Sequence, residues 1–286
     1  MKRLHILYTL LFIWLLPVTS NGQPAGKEKL RVISYNIWNG FEHDASRRAN
    51  FINWIKGQQP DILAMTELVG FTEKDLGQLA SEYGHKYYAI VKEEGYPVGI
   101  TSNEPITVVK KQMEGFWHGM LHVKTHGLDM IVTHLSPHDW KFRLKEAQML
   151  TSYIQDNQLD NCMVMGDFNA YSPFDADWVE THAQLIENMQ KWDAEQETYR
   201  NMRDGRFDYS VLSKFLSIGL TDICRLYVPA DKRTTFPAAF LYGWQHGDTR
   251  LHGIGERLDY ILVSPSLVSR CLDARIHNGI ETEGIS

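Results

Sequence analysis

The stretch MVMGDFNA, Met163–Ala170, joins a run of apolar residues to an abruptly polar ending. The apolar part favours a buried strand, and Asp167 and Asn169 then place a carboxylate and an amide where that strand ends. A single carboxylate in such a position more often forms a turn or caps a helix. The assignment of a function to this stretch therefore depends on whether the pattern recurs.

The pattern does recur along the chain. Asn36 closes VISYN, Glu67 closes DILAMTE, His134 closes MIVTH, and Asp259 interrupts RLDYILV. Because buried strand ends cannot hold unpaired charges cheaply, this number of polar endings is hard to explain by turns alone. Together with Asp167 and Asn169, they predict one shared site.

The fold class follows from the spacing of short β-rich segments. They outnumber the helical patterns, and the two do not alternate strictly, so we expect sheets packed on each other with helices outside. Helical periodicity occurs at residues 47–59 and 138–157, and a charged, helix-prone excursion covers about 175–215. The predicted strands lie at residues 30–38, 61–68, 85–92, 119–125, 128–136, 161–170 and 256–264.

Two side chains on the second helical segment have alternative interpretations. Arg143 and Lys145 follow THLSP by about one turn, where they would be able to meet a phosphate. We expect instead that both belong to the solvated face of the helix.

Length and composition indicate one large globular domain. The chain has 286 residues, of which 43% are hydrophobic, enough for a sizeable core. Its three cysteines are too few and too scattered for a disulfide framework or a zinc site, so we expect buried thiols.

The first 22 residues have the pattern of a secretory signal peptide. A basic start at Lys2 and Arg3 precedes an apolar run, and small or polar residues precede Gln23. The alternative, a membrane anchor, is disfavoured because the run is shorter than the ~20 residues that span a bilayer. We therefore expect a secreted or periplasmic protein with residues 23–286 as its domain.

Export makes the protein more acidic. Loss of Lys2 and Arg3 changes the net charge from −6 to −8. An acidic surface disfavours tight non-specific binding to nucleic acid, although it does not exclude a locally basic groove.

The predicted site is rich in oxygen ligands. A glutamate with carboxylate and amide neighbours suits Mg²⁺, with Mn²⁺ or Ca²⁺ as alternatives, better than zinc. Such a cation stabilises the charge that develops when water attacks phosphorus. His134 and Asn169 are candidates for hydrogen bonds to phosphoryl oxygens, and Asp167 for acid–base work. These residues outline a phosphate-ester hydrolase.

Five motifs together resemble the endonuclease/exonuclease/phosphatase superfamily. They occur in the order of that family and cover the chain from about residue 30 onward, and GDFN followed by RLDY is a fairly specific pair. The motifs are SYNIW (34–38), PDILAMTE (60–67), VTHLS (132–136), GDFNA (166–170) and RLDYILVS (257–264).

The resemblance implies an α/β fold, a four-layered α/β sandwich with two packed mixed β-sheets flanked by helices. It implies that Glu67 is the principal metal ligand, with Asn36 beside it in the metal shell. His134 resembles a phosphate-contacting histidine, and Asp167 and Asn169 resemble the pair that organises nucleophile, leaving group and phosphate. Asp259 resembles a carboxylate that orients a catalytic histidine.

In the family, that histidine belongs to a C-terminal Ser-Asp-His motif. The chain here ends at Ser286, and His277 lacks a preceding Ser-Asp. The resemblance therefore predicts that the reading frame continues with Asp-His, and that the chain as given is an impaired catalyst.

We expect a metal-dependent hydrolase of phosphodiester or phosphomonoester bonds. The acidic charge and the export signal favour a small phosphorylated metabolite, a sugar phosphate or a lipid head group as substrate, and we expect a monomer. Two alternatives remain: an extracellular endonuclease or exonuclease on DNA or RNA, and an inactive binding module.

Overall fold

The computed structural model describes residues 29–238, 241, 255–282, 284 and 285, and the predicted signal peptide lies outside them. The chain from Arg31 onward forms one compact unit. Its first sheet has four strands in the order β1-β2-β4-β3, with β1 and β2 parallel and the other pairs antiparallel. These strands are β1 (Val32–Asn36), β2 (Ile62–Thr66), β3 (Tyr87–Ile90) and β4 (Gly99–Ser102).

The second sheet has six strands in the order β11-β12-β8-β7-β6-β5, and only its β7–β8 pair is parallel. Its strands are β5 (Thr107–Gln112), β6 (Met120–Thr125), β7 (Leu128–His134), β8 (Cys162–Asp167), β11 (Thr221–Asp222) and β12 (Asp259–Val263). A separate hairpin pairs β9 (Met202–Arg203) with β10 (Arg206–Phe207).

The two sheets pack face to face around a shared apolar core. Ile62 and Ala64 of β2 lie in the same buried cluster as Val132 of β7 and Met165 of β8. Because side chains alternate across a strand, Leu63 and its odd-numbered neighbours face the helices instead. Burial of both faces explains why β2 is apolar throughout and does not alternate with polar residues.

Helices cover the outer face of each sheet. α1 and α2 pack on the four-stranded sheet through residues such as Phe51 and Leu76, and α3 and α6 pack on the six-stranded sheet through Leu150 and Phe215. The predicted four-layered sandwich is therefore confirmed. The helices are α1 (Ala45–Gln58), α2 (Glu73–Glu82), α3 (Trp140–Asp156), α4 (Ala176–Thr181), α5 (Ala183–Glu195), α6 (Ser210–Ser217), α7 (Ile223–Tyr227) and α8 (Pro265–Val268).

All seven predicted strands and both predicted helices are present. The sequence pattern missed β4 and β5, because β4 is a four-residue strand, Gly99–Ser102, and β5 is an edge strand with mostly exposed side chains. The excursion at 175–215 is mainly helical, as expected, but it also contains the β9–β10 hairpin, and its last helix, α6, belongs to the core.

Burial tests the sequence expectation for the three cysteines. Cys162 and Cys224 are buried free thiols, and Cys271 is partly exposed. Among the helices that the structure describes, none is long and apolar enough to cross a membrane.

Candidate active site

The polar strand ends predicted from the sequence meet at one edge of the sandwich. Asn36 ends β1, and Glu67 follows the last residue of β2, the strand parallel to β1. In the other sheet, His134 and Asp167 are register partners on the parallel strands β7 and β8. Asp259 begins the antiparallel strand β12 and pairs with Asp167. Opposite strand directions explain why Asp259 begins its strand whereas the others end theirs.

A single amide group links the carboxylates of the two sheets. Asn36 Nδ2 donates to Glu67 Oε1 at 3.0 Å and to Asp167 Oδ2 at 3.2 Å. The other oxygen of Glu67 accepts the Asn39 backbone N–H at 2.9 Å, while Asn36 Oδ1 accepts the Trp38 N–H. Each group that the sequence predicted for metal binding is therefore held in place by its neighbours.

His134 and Asn169 form the second half of the site. Asn169 Nδ2 lies 3.1 Å from His134 Nε2 and also donates to the Leu135 carbonyl at 3.0 Å. The Asn169 backbone N–H donates to Asp167 Oδ1 at 2.8 Å, and His134 Nε2 lies 3.8 Å from Asp167 Oδ2. His134, Asp167 and Asn169 thus form one connected cluster with the predicted metal ligands, Asn36 and Glu67.

Two functional residues of the site have an unusual backbone conformation. Glu67 has φ 59° and Asn169 has φ 46°, in the left-handed region that non-glycine residues occupy rarely. Such conformations cost free energy and cluster at functional sites. At Gly166 (φ +132°) an added Cβ would overlap the Thr133 carbonyl oxygen, so glycine here allows β7 and β8 to bring His134 beside Asp167.

Burial dominates the electrostatics of the three carboxylates. It raises the pKa of Glu67, against the opposing effects of Asn36, the Asn39 N–H and Arg47. The pKa of Asp167 is raised well above its ordinary value by burial and then by the charge of Asp259. Burial raises the pKa of Asp259 to about 7. Three carboxylates are thus held close together in an environment that disfavours their combined negative charge.

This arrangement fits a divalent cation. Ligand atoms of Glu67, His134 and Asp167 all lie within 4.8 Å of one another. A cation among them would offset the repulsion between buried carboxylates. The set includes His134, which the sequence interpretation assigned to phosphate contact, so this side chain is also able to serve as a ligand.

The Arg and Tyr of RLDY position β12. Arg257 is almost fully buried and donates to Asp175 at 2.7 Å and to both carboxylate oxygens of Asp222, at 2.6 and 3.2 Å. The Tyr260 hydroxyl donates to the carbonyls of Arg257 and Ala170 at 2.8 and 3.0 Å. These contacts fix the start of the strand that carries Asp259.

The expectation for Arg143 was wrong. Its side chain is 1% exposed and donates to the Ser136 carbonyl at 3.1 Å and to Asn201 Oδ1 at 2.9 Å, because α3 packs over the loop that follows His134. Lys145 is exposed, as expected.

Sequence interpretation missed two residues beside the site. His118, just before β6, stacks on His134 with ring centroids 4.3 Å apart. Glu146 is fully buried on α3 and accepts the backbone N–H groups of Trp117 at 2.8 Å and Ser136 at 2.7 Å. In the sequence, the only sign of His118 is a polar residue close to the start of a strand. Glu146 is missed because the neighbouring Lys145 predicts a solvated face of the helix.

Some sequence predictions cannot be placed or lie elsewhere. Ser286 is outside the described residues. The His277 ring packs against Trp54 at 5.4 Å and lies 3.4 Å from Glu281. Trp54 belongs to α1, the helix that packs on the outer face of the four-stranded sheet.

Comparisons with known proteins agree with this geometry. The sequence profile of the Endonuclease/Exonuclease/phosphatase family matches residues 33–280. A search of curated protein sequences found no match. Two solved structures share the fold. An AP endonuclease from Archaeoglobus fulgidus has 23% identity and TM-score 0.61, covering 86% of this chain and 90% of its own. The 3′-5′ exonuclease NExo from Neisseria meningitidis has 20% identity and TM-score 0.62, covering 85% and 90%.

A further structure of NExo is similar to the same extent. It is described as a 3′ phosphatase from Neisseria bound to product DNA hairpin, and it has 19% identity and TM-score 0.61, covering 86% of this chain and 91% of its own. At these identities the likeness shows the fold.

Proposed function

The chain belongs to the endonuclease/exonuclease/phosphatase family, a superfamily of metal-dependent phosphoesterases, and from this membership we propose that it hydrolyses the phosphate ester of a small molecule. The substrate class that we propose is a phosphorylated metabolite, a sugar phosphate or a lipid head group. The observation that carries the proposal is the bridge made by Asn36 between Glu67 and Asp167, beside the Asn169–His134 pair.

Glu67 and Asn36 are the residues that would hold the cation, with His134 and Asp167 near enough to share it. When bound, a divalent cation supplies charge neutralisation at a phosphoryl oxygen. We propose Mg²⁺, with Mn²⁺ or Ca²⁺ as alternatives, because two of the three clustered ligand groups are carboxylates, those of Glu67 and Asp167.

The remaining residues position the phosphate and handle protons. The amide of Asn169 and the imidazole of His134 would donate hydrogen bonds to phosphoryl oxygens that gain charge in the transition state. Asp167 has a raised pKa, so its carboxylate is a stronger base than an exposed aspartate and is suited to accept a proton from the attacking water. Asp259 would orient a histidine, as the family resemblance predicts.

A small substrate is supported by the acidic balance of the chain, whose net charge is −6 before any processing. A surface of this sign repels a long polyanion and leaves a compact phosphate less affected. The proposal of export is supported by the signal-peptide pattern of residues 1–22, and removal of these residues takes away two further positive charges. We therefore propose a secreted or periplasmic location, and mass spectrometry of the exported protein would test it by showing an N-terminus at Gln23.

A second candidate function is an extracellular nuclease. It is supported by exposed aromatic rings beside the site: Trp117 is 40% exposed and Tyr199 41% exposed, and both lie near the His138 ring, at 5.3 and 6.2 Å. Exposed rings of this kind stack on bases of single-stranded nucleic acid.

The deciding experiment compares the rates at which the protein hydrolyses different substrates in the presence of Mg²⁺ or Mn²⁺. We expect hydrolysis of p-nitrophenyl phosphate or sphingomyelin to exceed that of plasmid DNA and RNA, and Glu67→Ala to abolish it. Preferential cleavage of DNA or RNA would favour the nuclease. Absence of turnover on every ester would support the inactive binding module.

A further inference from the structure

The ring of His134 belongs to a stack that extends away from the cluster of carboxylates. His118 lies on it at 4.3 Å with an interplanar angle of 25°, and Tyr96 meets His118 edge-on at 5.4 Å. Both histidines are 4% exposed. We call these three residues the histidine stack.

The histidine stack contains polar atoms that need partners. His118 Nε2 and His134 Nδ1 are buried and have no hydrogen-bond partner among the residues that the structure describes. A buried polar atom without a partner is costly and rare, and its usual explanation is a bound water, ion or ligand. The stacked rings of His118 and His134 therefore offer two ring nitrogens that a bound ligand would satisfy.

The positively charged side chain of Lys92 lies on the segment that contributes Tyr96 to the histidine stack. Lys92 and Tyr96 belong to the segment between Val91 and Pro97. The Val91 N–H donates to the Val98 carbonyl at 2.9 Å, and the Pro97 carbonyl accepts the Leu68 N–H at 3.0 Å. Leu68 directly follows Glu67, and Tyr96 contacts His118. The segment is thus attached to both halves of the site.

Lys92 is half-buried and, within the described part of the chain, makes no hydrogen bond or ion pair. Burial lowers its pKa, and the charge of the exposed Glu94 opposes this effect only in part. Lys92 Nζ lies 3.8 Å from the position that a Cβ on Gly95 would occupy, and Gly95 directly precedes Tyr96 of the histidine stack. A partly desolvated cation that forms no ion pair with the described residues, on the segment that contacts the stacked histidines, is a suitable place for an anion.

We propose that Lys92 and His118 bind the non-reacting oxygens of the substrate phosphate and select phosphate monoesters over diesters. This inference rests on the proposed function and deepens it. At pH 7 a monoester carries up to two negative charges and a diester carries one. Because Glu67, Asp167 and Asp259 already crowd negative charge into the site, the second charge of a monoester needs an additional cation. Lys92 provides it.

The test replaces the charge of Lys92 and keeps its shape. We expect Lys92→Met to lower kcat/KM for the monoester p-nitrophenyl phosphate by about tenfold or more, and for the diester bis-p-nitrophenyl phosphate by less than about threefold. The reason is that the contact with the Lys92 ammonium matters mainly for the doubly charged monoester. His118→Phe keeps the stacking but removes the ring nitrogens, and we expect a several-fold higher KM for the monoester with an unchanged melting temperature.

The matched control is Lys86→Met. Lys86 is exposed at the other end of β3, so its loss should leave both rates unchanged. A second measurement does not require turnover: calorimetric titration of the Mg²⁺-loaded protein with inorganic phosphate should show about tenfold weaker binding in Lys92→Met.

The possible outcomes distinguish the anion site at Lys92 from the proposed phosphoesterase function. Equal loss on both esters, or unchanged phosphate binding, would overturn the role of Lys92. If the wild type hydrolyses neither ester but binds phosphate in a Lys92-dependent way, the proposed function fails and the anion site stands.

Discussion

Asp259 lies directly across the sheet from Asp167, because β12 pairs with β8 in a register that matches these two residues. His134 is the register partner of Asp167 on the other side. Backbone pairing therefore sets two carboxylates and an imidazole in one row across three strands. The row places like charges side by side, which is destabilising unless a cation or a proton is present.

A divalent cation should therefore stabilise the fold. We expect millimolar Mg²⁺ or Mn²⁺ to raise the melting temperature, by an amount equivalent to about 2.7 kcal/mol when the cation is at 100 times its Kd. Glu67→Gln should remove most of this gain, because it removes one charge from the ligand set. The raised pKa values of Glu67 and Asp167 mean that cation binding competes with protons, so the gain should be larger at pH 8 than at pH 5.5. Differential scanning fluorimetry measures all of these quantities, and an equal gain in Glu67→Gln would contradict the assignment.

Glu146 should make stability depend on pH. Burial raises its pKa to about 7, from an unfolded value of 4.5. The folded state then binds more protons than the unfolded state between these two values, so the contribution of Glu146 to stability decreases as pH rises from 4.5 through 7. Glu146→Gln lacks this titration. We expect it to be less stable than the wild type by about 1–3 kcal/mol at pH 5, because its amide faces a backbone N–H donor, and we expect the difference to shrink above pH 7.

Urea unfolding of both proteins at pH 5 and pH 8 checks this. Lys145→Gln, at the exposed neighbouring position on α3, is the control and should stay within about 0.5 kcal/mol of the wild type at both pH values. A difference for Glu146→Gln that grows with pH would show that the pKa of this carboxyl is not raised.

The parts of the site that were predictable share a physical cause. Asn36, Glu67, His134 and Asp167 each follow an apolar strand-forming run, and a polar residue at the end of a buried strand must have partners. Such a signal is local, so a single sequence reveals it. The parallel β1–β2 and β7–β8 pairs then bring these ends to the same edge.

The parts that were missed depend on contacts between distant segments. His118 lies just before β6, and its importance comes from stacking on His134, the last residue of β7. Arg143 has helical neighbours typical of a solvated face, but the loop after His134 and the segment around Asn201 cover it. Helical periodicity describes one element and carries no information about which loop packs over it.

Loss of the Arg257 guanidinium should destabilise the fold strongly. Arg257→Met would leave the carboxylates of Asp175 and Asp222 buried without their main cation, at a cost of about 3–5 kcal/mol. Arg275→Met is the matched control, because Arg275 is exposed and, among the residues that the structure describes, forms an ion pair only with Asp273, two residues away. We expect a change within about 0.5 kcal/mol. Guanidinium unfolding monitored by tryptophan fluorescence gives both values. If the two variants lost similar stability, the buried network would not be what holds the start of β12.

Two glycine substitutions should have opposite effects, because their surroundings differ. Gly166→Ala places a Cβ onto the Thr133 carbonyl oxygen and forces a φ of +132° on alanine, so β7 and β8 would have to separate next to Asp167. We expect a loss of at least about 3 kcal/mol and, in the portion that folds, weaker Mg²⁺ binding.

Gly57 lies near the end of α1 with no atom within 4 Å of an added Cβ, so Gly57→Ala should stabilise the fold by about 0.5–1 kcal/mol through lower unfolded-state entropy. Thermal unfolding with and without Mg²⁺ distinguishes the two, and a Gly166→Ala protein with normal stability and normal Mg²⁺ binding would show that close approach of β7 and β8 is not required to assemble the site.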